Sequence, residues 1–472
     1  LAFTDFGLWH WLVLLEHELF LFAAITFVIG ALDDGAIDCV WLWLRLTGKG
    51  STAIVDAQIL AVEPLGGRAA VLIPAWQEHQ VIAATIEHAL AAWPQGEMML
   101  YVGCYRNDPA TISAVGSAVS DDRRLRLVIC ERDGPTTKAD CLNRLFHALL
   151  EDEQRERFEY KMVVFHDAED LVDPAALALL DQTIGEAPAK ADFVQLPVMP
   201  LPQRGWRWLG SHYCEEFAEA HGKAMLVRDA LGAGLPSAGV GCAISRRALE
   251  LLREGRPDQL PFEAESLTED YEMGLSIAAS GGICRFVRAR DRSGRLIATR
   301  AYFPSQLGQI VRQKTRWIHG ISLQGWDRLG WNGSWIERWM RARDRRGPLS
   351  ALTLFAAYSF LLLAMITSMI APNASGQELV LSPTEQALLL ASFVAILWRT
   401  GFRFAFTARD YGVMEGLKAV ARIPFTNVVA IMAGRRSVMA YIRSLAGKGQ
   451  SWDKTSHDRH PAHDHTAVIW SQ

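Results

Sequence analysis

Met162-Val163-Val164-Phe165-His166-Asp167-Ala168-Glu169-Asp170 joins an apolar run to a cluster of acids without a break. A strand over Lys161–Phe165 that ends on acids aims them out of a sheet rather than into its core. Runs of the same kind recur on the N-terminal side. Ala69–Pro74, Met98–Gly103 and Leu125–Cys130 read as strands, with helices Val81–Trp93, Pro109–Val119 and Lys138–Leu150 between and after them. This alternation is the signature of an α/β fold with a mostly parallel sheet. Ligands of such sheets lie beyond the carboxyl ends of the strands, and acids occupy those ends: Glu78 after the first strand, Asp108 after the second, Asp167 and Glu169 after the fourth. Asp173-Pro174 reads as the N-cap and first residue of a helix running to Ile184, which accounts for Asp173 but not for Asp167 or Glu169.

Downstream, Ser266-Leu267-Thr268-Glu269-Asp270-Tyr271-Glu272-Met273-Gly274 sets a carboxylate pair at the start of a helical pattern. A carboxylate fixed there can act as a general base; with Ser266 as N-cap and Glu269 three residues on, the same letters also spell a capping box. Gln313-Lys314-Thr315-Arg316-Trp317 follows, so acids and then an arginine bracket the stretch. Asp167 and Glu169 offer hard oxygen ligands of the kind Mg²⁺ or Mn²⁺ takes while sharing the phosphate oxygens of a nucleotide. Pro236-Ser237-Ala238-Gly239-Val240-Gly241 brings small residues to a turn, as a close backbone approach to a ligand or a plain tight turn would need. Trp206 and Trp208 suit either stacking on sugar rings or core packing.

The chain has 472 residues, 50% apolar and 21% charged, which fits a soluble domain joined to membrane segments. A net charge of -4 with no basic aromatic array gives no case for nucleic acid. The seven cysteines show no C-x-x-C spacing, so neither a zinc site nor a disulfide framework is expected, and reduced thiols in cytosol fit best. Phe6–Leu32 reads as a membrane helix with a polar notch at Glu16, His17 and Glu18. Asp33, Asp34 and Asp38 then lead into an amphipathic segment at the inner surface. Trp331, Trp335 and Trp339 recur at helical spacing beside Arg338, Arg341, Arg343, Arg345 and Arg346, the pattern of a helix on the cytoplasmic membrane face. Leu349–Ala371 is the surest span, and a second returns through Leu379–Trp398. Pro372–Glu378 between them lacks Lys and Arg, whereas Arg399, Arg403 and Arg409 follow, so the α/β domain and the tail are expected on the cytoplasmic side. Gly412–Ala433 reads as an interfacial helix, with a fourth span as its alternative. His457, His460, His463 and His465 fall in a polar tail that reads as solvated rather than as a metal site. The expected organisation is an N-terminal membrane helix and interfacial segment over 1–50, the α/β domain over 51–330, an interfacial basic and Trp-rich helix over 331–348, two transmembrane helices over 349–400, and an interfacial helix with a cytoplasmic tail over 401–472.

Acids at strand ends, a later base on a helix, and Gln-x-x-Arg-Trp beside a membrane surface resemble the membrane glycosyltransferases of family 2, relatives of cellulose and hyaluronan synthases. The likeness covers about Arg68 to Trp331. Phe165–Asp170, Pro236–Gly241, Leu267–Tyr271, Tyr302-Phe303-Pro304 and Trp452-Asp453-Lys454-Thr455 look like the branch of inner-membrane phage-adsorption proteins. The resemblance implies a GT-A, Rossmann-like cytoplasmic domain in a multi-pass protein of the bacterial inner membrane. It implies inverting transfer of a hexosyl or N-acetylhexosaminyl unit from a nucleotide diphosphate sugar, a UDP-sugar above all, to a growing exopolysaccharide. Single transfer to a lipid-linked acceptor, or a non-catalytic assembly partner, are the alternatives. By the same resemblance Glu78 and Asp108 hold the base and ribose, and Lys138 and Asp140 line the nucleotide pocket. Asp167 and Glu169 hold Mg²⁺ or Mn²⁺, with Glu169 departing from the usual Asp. Asp270 is the catalytic base with Glu269 beside it, and Gln313, Arg316 and Trp317 close on the diphosphate and the acceptor. So few membrane helices cannot enclose a hydrophilic polymer whose polar groups must be satisfied, so an oligomer or a secretion partner is expected as well.

Overall fold

The computed structural model describes residues 8–50, 52–118, 122–185, 190–254, 256–370, 381–446 and 459–463. Pro372–Glu378, Trp452–Thr455, His457 and His465 lie outside the described residues. The strands are β1 (Ala53–Val55), β2 (Ala69–Pro74), β3 (Met98–Tyr105), β4 (Leu125–Cys130), β5 (Met162–Phe165), β6 (Phe193–Gln195), β7 (Val198–Pro200), β8 (Cys242–Ser245), β9 (Cys284–Phe286), β10 (Ala289–Asp291) and β11 (Thr299–Ala301). Seven of them form one sheet in the order β4-β3-β2-β5-β8-β6-β9, and every pairing except those of β8 is parallel. β1 with β10 and β7 with β11 make small parallel pairs beside it. The helices are α1 (Leu8–Leu46), α2 (Ala57–Val62), α3 (Ile82–Ala92), α4 (Pro109–Ala118), α5 (Lys138–Glu156), α6 (Ala176–Thr183), α7 (His212–Glu219), α8 (Met225–Ala230), α9 (Arg246–Glu254), α10 (Glu269–Ala279), α11 (Leu307–Trp317), α12 (Gly325–Leu329), α13 (Trp335–Arg345), α14 (Gly347–Ile370), α15 (Pro383–Tyr411) and α16 (Val413–Leu445).

The period of two along a strand divides the core. On β2, Ala69, Val71 and Ile73 pack with Ile82, Ile86 and Trp93 of the α3 side and Leu177 and Leu180 of α6. Ala70 and Leu72 face the opposite layer, where Leu145, Phe146 and Leu149 of α5 meet Leu249 of α9 and Met273 and Ile277 of α10. Both sheet faces are therefore covered, and function is left to the carboxyl ends of the strands.

Four helices, α1, α14, α15 and α16, are long and apolar enough to cross a membrane. Ile25 and Ile29 of α1, Leu352 and Phe355 of α14, and Leu390 and Phe393 of α15 are exposed, an apolar belt of the kind that meets lipid. α1 is one continuous helix through both the polar notch and the acids, where the sequence divides into a span and a separate amphipathic segment. The notch is answered by neighbouring helices: Thr367 Oγ1 donates to Glu16 Oε2 at 2.9 Å, and His17 Nε2 lies 2.6 Å from Glu385 Oε1. With those groups satisfied inside the bundle, nothing forces a break.

The arginines at the end of α13 are engaged within the protein, whereas Arg338 is exposed. Arg343 and Arg346 both bridge Asp33 and Asp34 of α1, Arg399 of α15 pairs with Asp34, and Trp339 Nε1 donates to Asp33 Oδ1 at 2.6 Å. The expected ridge of three tryptophans is cut at its first member. Gly330 and Gly333 have φ of 54° and 115°, and Ser334 accepts from Glu337 N at 3.2 Å as N-cap, so α13 starts only at Trp335. Trp335 and Trp339 stack at 6.2 Å between centroids, while Trp331 pairs instead with Trp326.

Beyond Trp398, α15 continues onto the α/β domain, where Phe402, Phe406 and Tyr411 pack with Cys214 and Ala218 of α7 and with Trp41. α16 lies along the same domain: Arg422 Nη2 pairs with Glu215 Oε2 at 2.8 Å, Val429 packs with Tyr213, Ile310 and Val311, and Tyr441 Oη donates to Asp327 Oδ2 at 2.9 Å. On the other side of α1, Ile37 and Leu44 pack with Val227, Ala233 and Met340. The tail is not simply solvated either. His460 is buried, with Nε2 3.3 Å from the Asp170 carbonyl oxygen.

Candidate active site

A cavity of about 490 Å³ opens at the carboxyl ends of the sheet strands. Glu78 reaches it from the loop after β2, Lys138 from the start of α5, Asp167 and Glu169 from the loop after β5, and Glu269 and Asp270 from the first turn of α10. Gln313, Arg316 and Trp317 of α11 complete the lining. Nine of the eleven residues picked out in the sequence are thus brought to one place.

Asp108 and Asp140 are the other two. Asp108 is buried, and its carboxylate accepts from the backbone N–H groups of Gln77 (2.6 Å) and Thr111 (3.3 Å). Standing immediately before Pro109, it caps α4. Gln77 has a φ of 55°, and its N–H is the group Asp108 holds, so Asp108 shapes the loop that presents Glu78. Asp140 follows Lys138 by two residues on a helix, a rotation of about 200°. It therefore turns away into a second, open cavity, 3.9 Å from Arg132 and beside Asn143 and Arg144.

The acid loop after β5 is fixed by its own side chains. Asp170 Oδ2 accepts from Asp167 N at 3.0 Å and lies 2.8 Å from His166 Nδ1. Asp173 is engaged elsewhere, accepting from Ala175 N at 3.1 Å and pairing with Arg295 at 2.7 Å. That leaves Asp167 and Glu169 to the cavity. Lys138 Nζ lies 2.6 Å from Asp167 Oδ1. Burial works against the charge of Lys138, but the carboxylates of Asp167, then Glu269 and Asp270, outweigh it and raise its pKa above that of a free lysine.

The capping-box alternative for Ser266 and Glu269 is not what forms. Thr268 is the N-cap, with no side-chain cap bond, and Ser266 Oγ instead donates to Glu272 Oε1 at 2.7 Å. Glu269 and Asp270 are left to the cavity. Burial, with the charge of Asp270 beside it, pushes Glu269 up to about 7 against the pull of Lys138. Burial also raises Asp270, again opposed by Lys138. Asp270 Oδ1 accepts from Tyr271 N at 2.7 Å.

Two close approaches account for the glycines. Gly239 has a φ of +79°, and a Cβ there would stand 2.5 Å from Asp270 Oδ2, so the small-residue turn makes room for the acid. After Trp317 the helix widens into a π-helical stretch, Ile318–Gln324, a feature frequent at functional sites. There a Cβ on Gly320 would stand 2.5 Å from Thr268 Oγ1. The helix carrying Gln313, Arg316 and Trp317 is thereby seated directly on the loop carrying Glu269 and Asp270.

Trp317 continues an aromatic wall, with ring centroids 5.7 Å from Tyr213, 6.4 Å from Phe217 and 6.5 Å from Phe303. Gln313 Oε1 is buried without a hydrogen-bond partner among the described residues and belongs to a residue lining the cavity. Phe217, Trp76, Arg328 and Ser444 also line the cavity and were not legible as site residues. Phe303 had a signal in the Tyr302-Phe303-Pro304 motif. Ser444, at the end of α16, had none.

The donor set fits a hard divalent cation. Asp167 and Glu169 contribute carboxylate oxygens only, and no group of three His, Cys, Asp or Glu forms a metal cage among the described residues. Two carboxylates without a full cage is how Mg²⁺ is usually bound when substrate phosphates and water complete the shell.

The family model for glycosyltransferase like family 2 matches residues 67–320, more than half of the chain. Bacteriophage adsorption protein B of Escherichia coli K12 is 33% identical over 473 residues, which take in 95% of this chain and 63% of that protein. Bacteriophage N4 adsorption protein B of Escherichia coli O157:H7 matches with the same identity and the same coverage. The chain thus spans 63% of the length of these relatives. Among solved structures, a mannosyltransferase from Pyrobaculum calidifontis in complex with GDP-Man and Mn²⁺ aligns with a TM-score of 0.49 at 17% identity, covering 84% of this chain and 99% of that one.

Proposed function

This chain belongs to the glycosyltransferase-like family 2, and from that premise we propose that it is an inverting, membrane-bound enzyme that moves a sugar from a nucleotide diphosphate sugar, a UDP-sugar first of all, to a growing exopolysaccharide. The observation that carries this reading is the meeting of Asp270 with Lys138, Arg316, Asp167 and Glu169 around one cavity. A proton acceptor and a set of cations face each other there, as displacement of a diphosphate requires.

An acceptor hydroxyl has a pKa far above 7 and attacks the anomeric carbon as its proton leaves. In the proposed reaction Asp270 takes that proton, the new C–O bond forms on the face opposite the departing diphosphate, and the anomeric configuration inverts. A positioned carboxylate in this role contributes about 10² to 10⁴ in rate. Arg316, whose planar fork suits phosphate oxygens, and Lys138 stabilise the charge gathering on the leaving diphosphate. Asp167 and Glu169 would hold Mg²⁺ or Mn²⁺, which when bound supplies further neutralisation of that group. Glu78 and Trp76 would bound the nucleoside end, and Phe303 and Trp317 offer faces on which the acceptor sugar stacks.

Transfer to a lipid-linked acceptor is the second reading. It is favoured by Ser444, which lines the cavity from the end of an apolar helix and so brings the site next to a membrane-associated element. One experiment separates the readings. The purified full chain is incubated with a panel of nucleotide sugars in the presence of Mn²⁺, and nucleotide release and product length are measured at limiting enzyme. Long chains appearing while most acceptor is untouched support the polymerase, to which an oligomer or partner protein would then supply the rest of the channel. A single added sugar under every condition selects the lipid-linked reading, and no release from any donor sinks both.

A further inference from the structure

The residue after the proposed base ties it to the membrane bundle. Tyr271 is buried; its N–H fixes Asp270 Oδ1 at 2.7 Å, and its hydroxyl donates to Asp344 Oδ2 at 2.9 Å. Asp344 is itself held by Arg228, whose Nη1 reaches both carboxylate oxygens at 2.9 Å. On either side of Asp344 in the chain stand Arg343 and Arg346, which serve a different partner. Arg343 donates to the Asp33 carbonyl oxygen at 3.0 Å and to Asp34 Oδ1 at 2.8 Å, and Arg346 to Asp33 Oδ2 at 2.9 Å and Asp34 Oδ1 at 2.6 Å. α13 and its C-terminal cap thus grip the acid pair of α1 with one set of side chains and the neighbour of Asp270 with another.

We infer that Tyr271 and Asp344 are positioning residues that set Asp270 relative to the membrane helix α1, so that the rate of transfer depends on the ion pairs at Asp33 and Asp34. The inference rests on the reading of Asp270 as the base. A base acts only within hydrogen-bond reach of the proton it takes, and a misplacement of about 1 Å costs roughly 100-fold. The first turn of α10 has a second tether, since Arg328 Nη1 donates to Glu272 Oε1 at 3.1 Å. Loss of the Tyr271 hydroxyl therefore shifts the turn without releasing it, and leaves in place Glu78, Lys138, Asp167 and Glu169, which come from other elements.

The test uses the full chain in detergent with UDP-glucose, UDP-N-acetylglucosamine and GDP-mannose as donors. Tyr271→Phe is expected to lower kcat about tenfold at unchanged donor KM, the split expected when only the reacting geometry is lost. Asp33→Asn is expected to act in the same direction, and the double variant to fall no lower than the weaker single one, because both cut one connection. Effects that multiply, a change in KM in place of kcat, or full activity in Tyr271→Phe would overturn the link. Asp270→Asn runs beside them: if it keeps its activity, the reading of the base fails, whereas an inactive Asp270→Asn with a fully active Tyr271→Phe overturns the positioning link alone. Amide hydrogen exchange gives a readout that needs no turnover. Asp33→Asn should speed exchange over residues 269–273, and unchanged exchange there would refute the coupling.

Discussion

Lys138 Nζ stands 2.6 Å from Asp167 Oδ1, in a cavity that also holds Glu169, Glu269 and Asp270. Its ammonium is therefore under the pull of Asp167, Glu269 and Asp270 together. Removing it leaves repelling charges in a partly buried site, the costly way to break an ion pair. Lys138→Met is expected to lower the melting temperature in metal-free buffer, and Asp167→Asn in the same chain to restore part of the loss. Mn²⁺ is expected to raise the melting temperature of the unaltered protein more than that of Asp167→Asn. Equal shifts would remove Asp167 from the metal site.

Asp270 and Glu169 should separate in one assay. Asp270→Asn removes a proton acceptor and little else, so transfer is expected to fall by about 10² or more with nucleotide affinity nearly intact. Glu169→Gln is expected to weaken both. Retention of most transfer activity by Asp270→Asn would remove it from the role of base.

Acid should destabilise the protein in a defined window. Burial lowers His212 to about 4, His221 to about 3 and His460 to about 4. Each of these binds its proton more readily when unfolded, so the stability it contributes is fully present above the free histidine value of about 6.5 and is lost as pH falls toward 4. Glu269, raised to about 7, has the opposite sign: it favours the folded state at low pH and loses that contribution as pH rises through 7. Asp270, raised by burial, acts in the same sense as Glu269, while His88 and His319, lowered by burial, add to the histidine side. Melting temperature is expected to drop between pH 6.5 and 4, and more steeply in Glu269→Gln. A flat profile would contradict the burial of the histidines.

The positive-inside rule, applied to the arginines at the α/β end of α15, gives an orientation to test. A cysteine in place of Ser382, at the other end of α15, is expected to react with an impermeant thiol reagent in intact cells. One in place of Gly330 is expected to stay unlabelled. Labelling of the Gly330 position would overturn this orientation.

The strands β2 to β5 and the acids behind them were legible because a short apolar run that ends in charge, repeated along an alternating chain, suits a buried strand with an open end and little else. The roles of Asp108 and Asp140 were not, because direction on a helix or a cap decides them: Asp108 is taken by two backbone N–H groups, and Asp140 is rotated away from Lys138. The acids of α1 were hidden for a different reason. Asp33 and Asp34 find their partners about 310 residues later in Arg343 and Arg346, and no local pattern announces a contact that far along the chain.

The way α1, α15 and α16 lie on the α/β domain has a practical consequence for anyone wishing to handle that domain alone. A fragment of residues 51–330 would strip Cys214 and Ala218 of Phe406 and Tyr411, Val227 and Ala233 of Ile37 and Leu44, and Ile310 and Val311 of Val429. It would also strand Glu215 without Arg422. Three bared apolar faces and a buried orphan charge make a sticky, poorly soluble fragment. The boundary that the family likeness draws in sequence is therefore not a line along which the molecule can be cut.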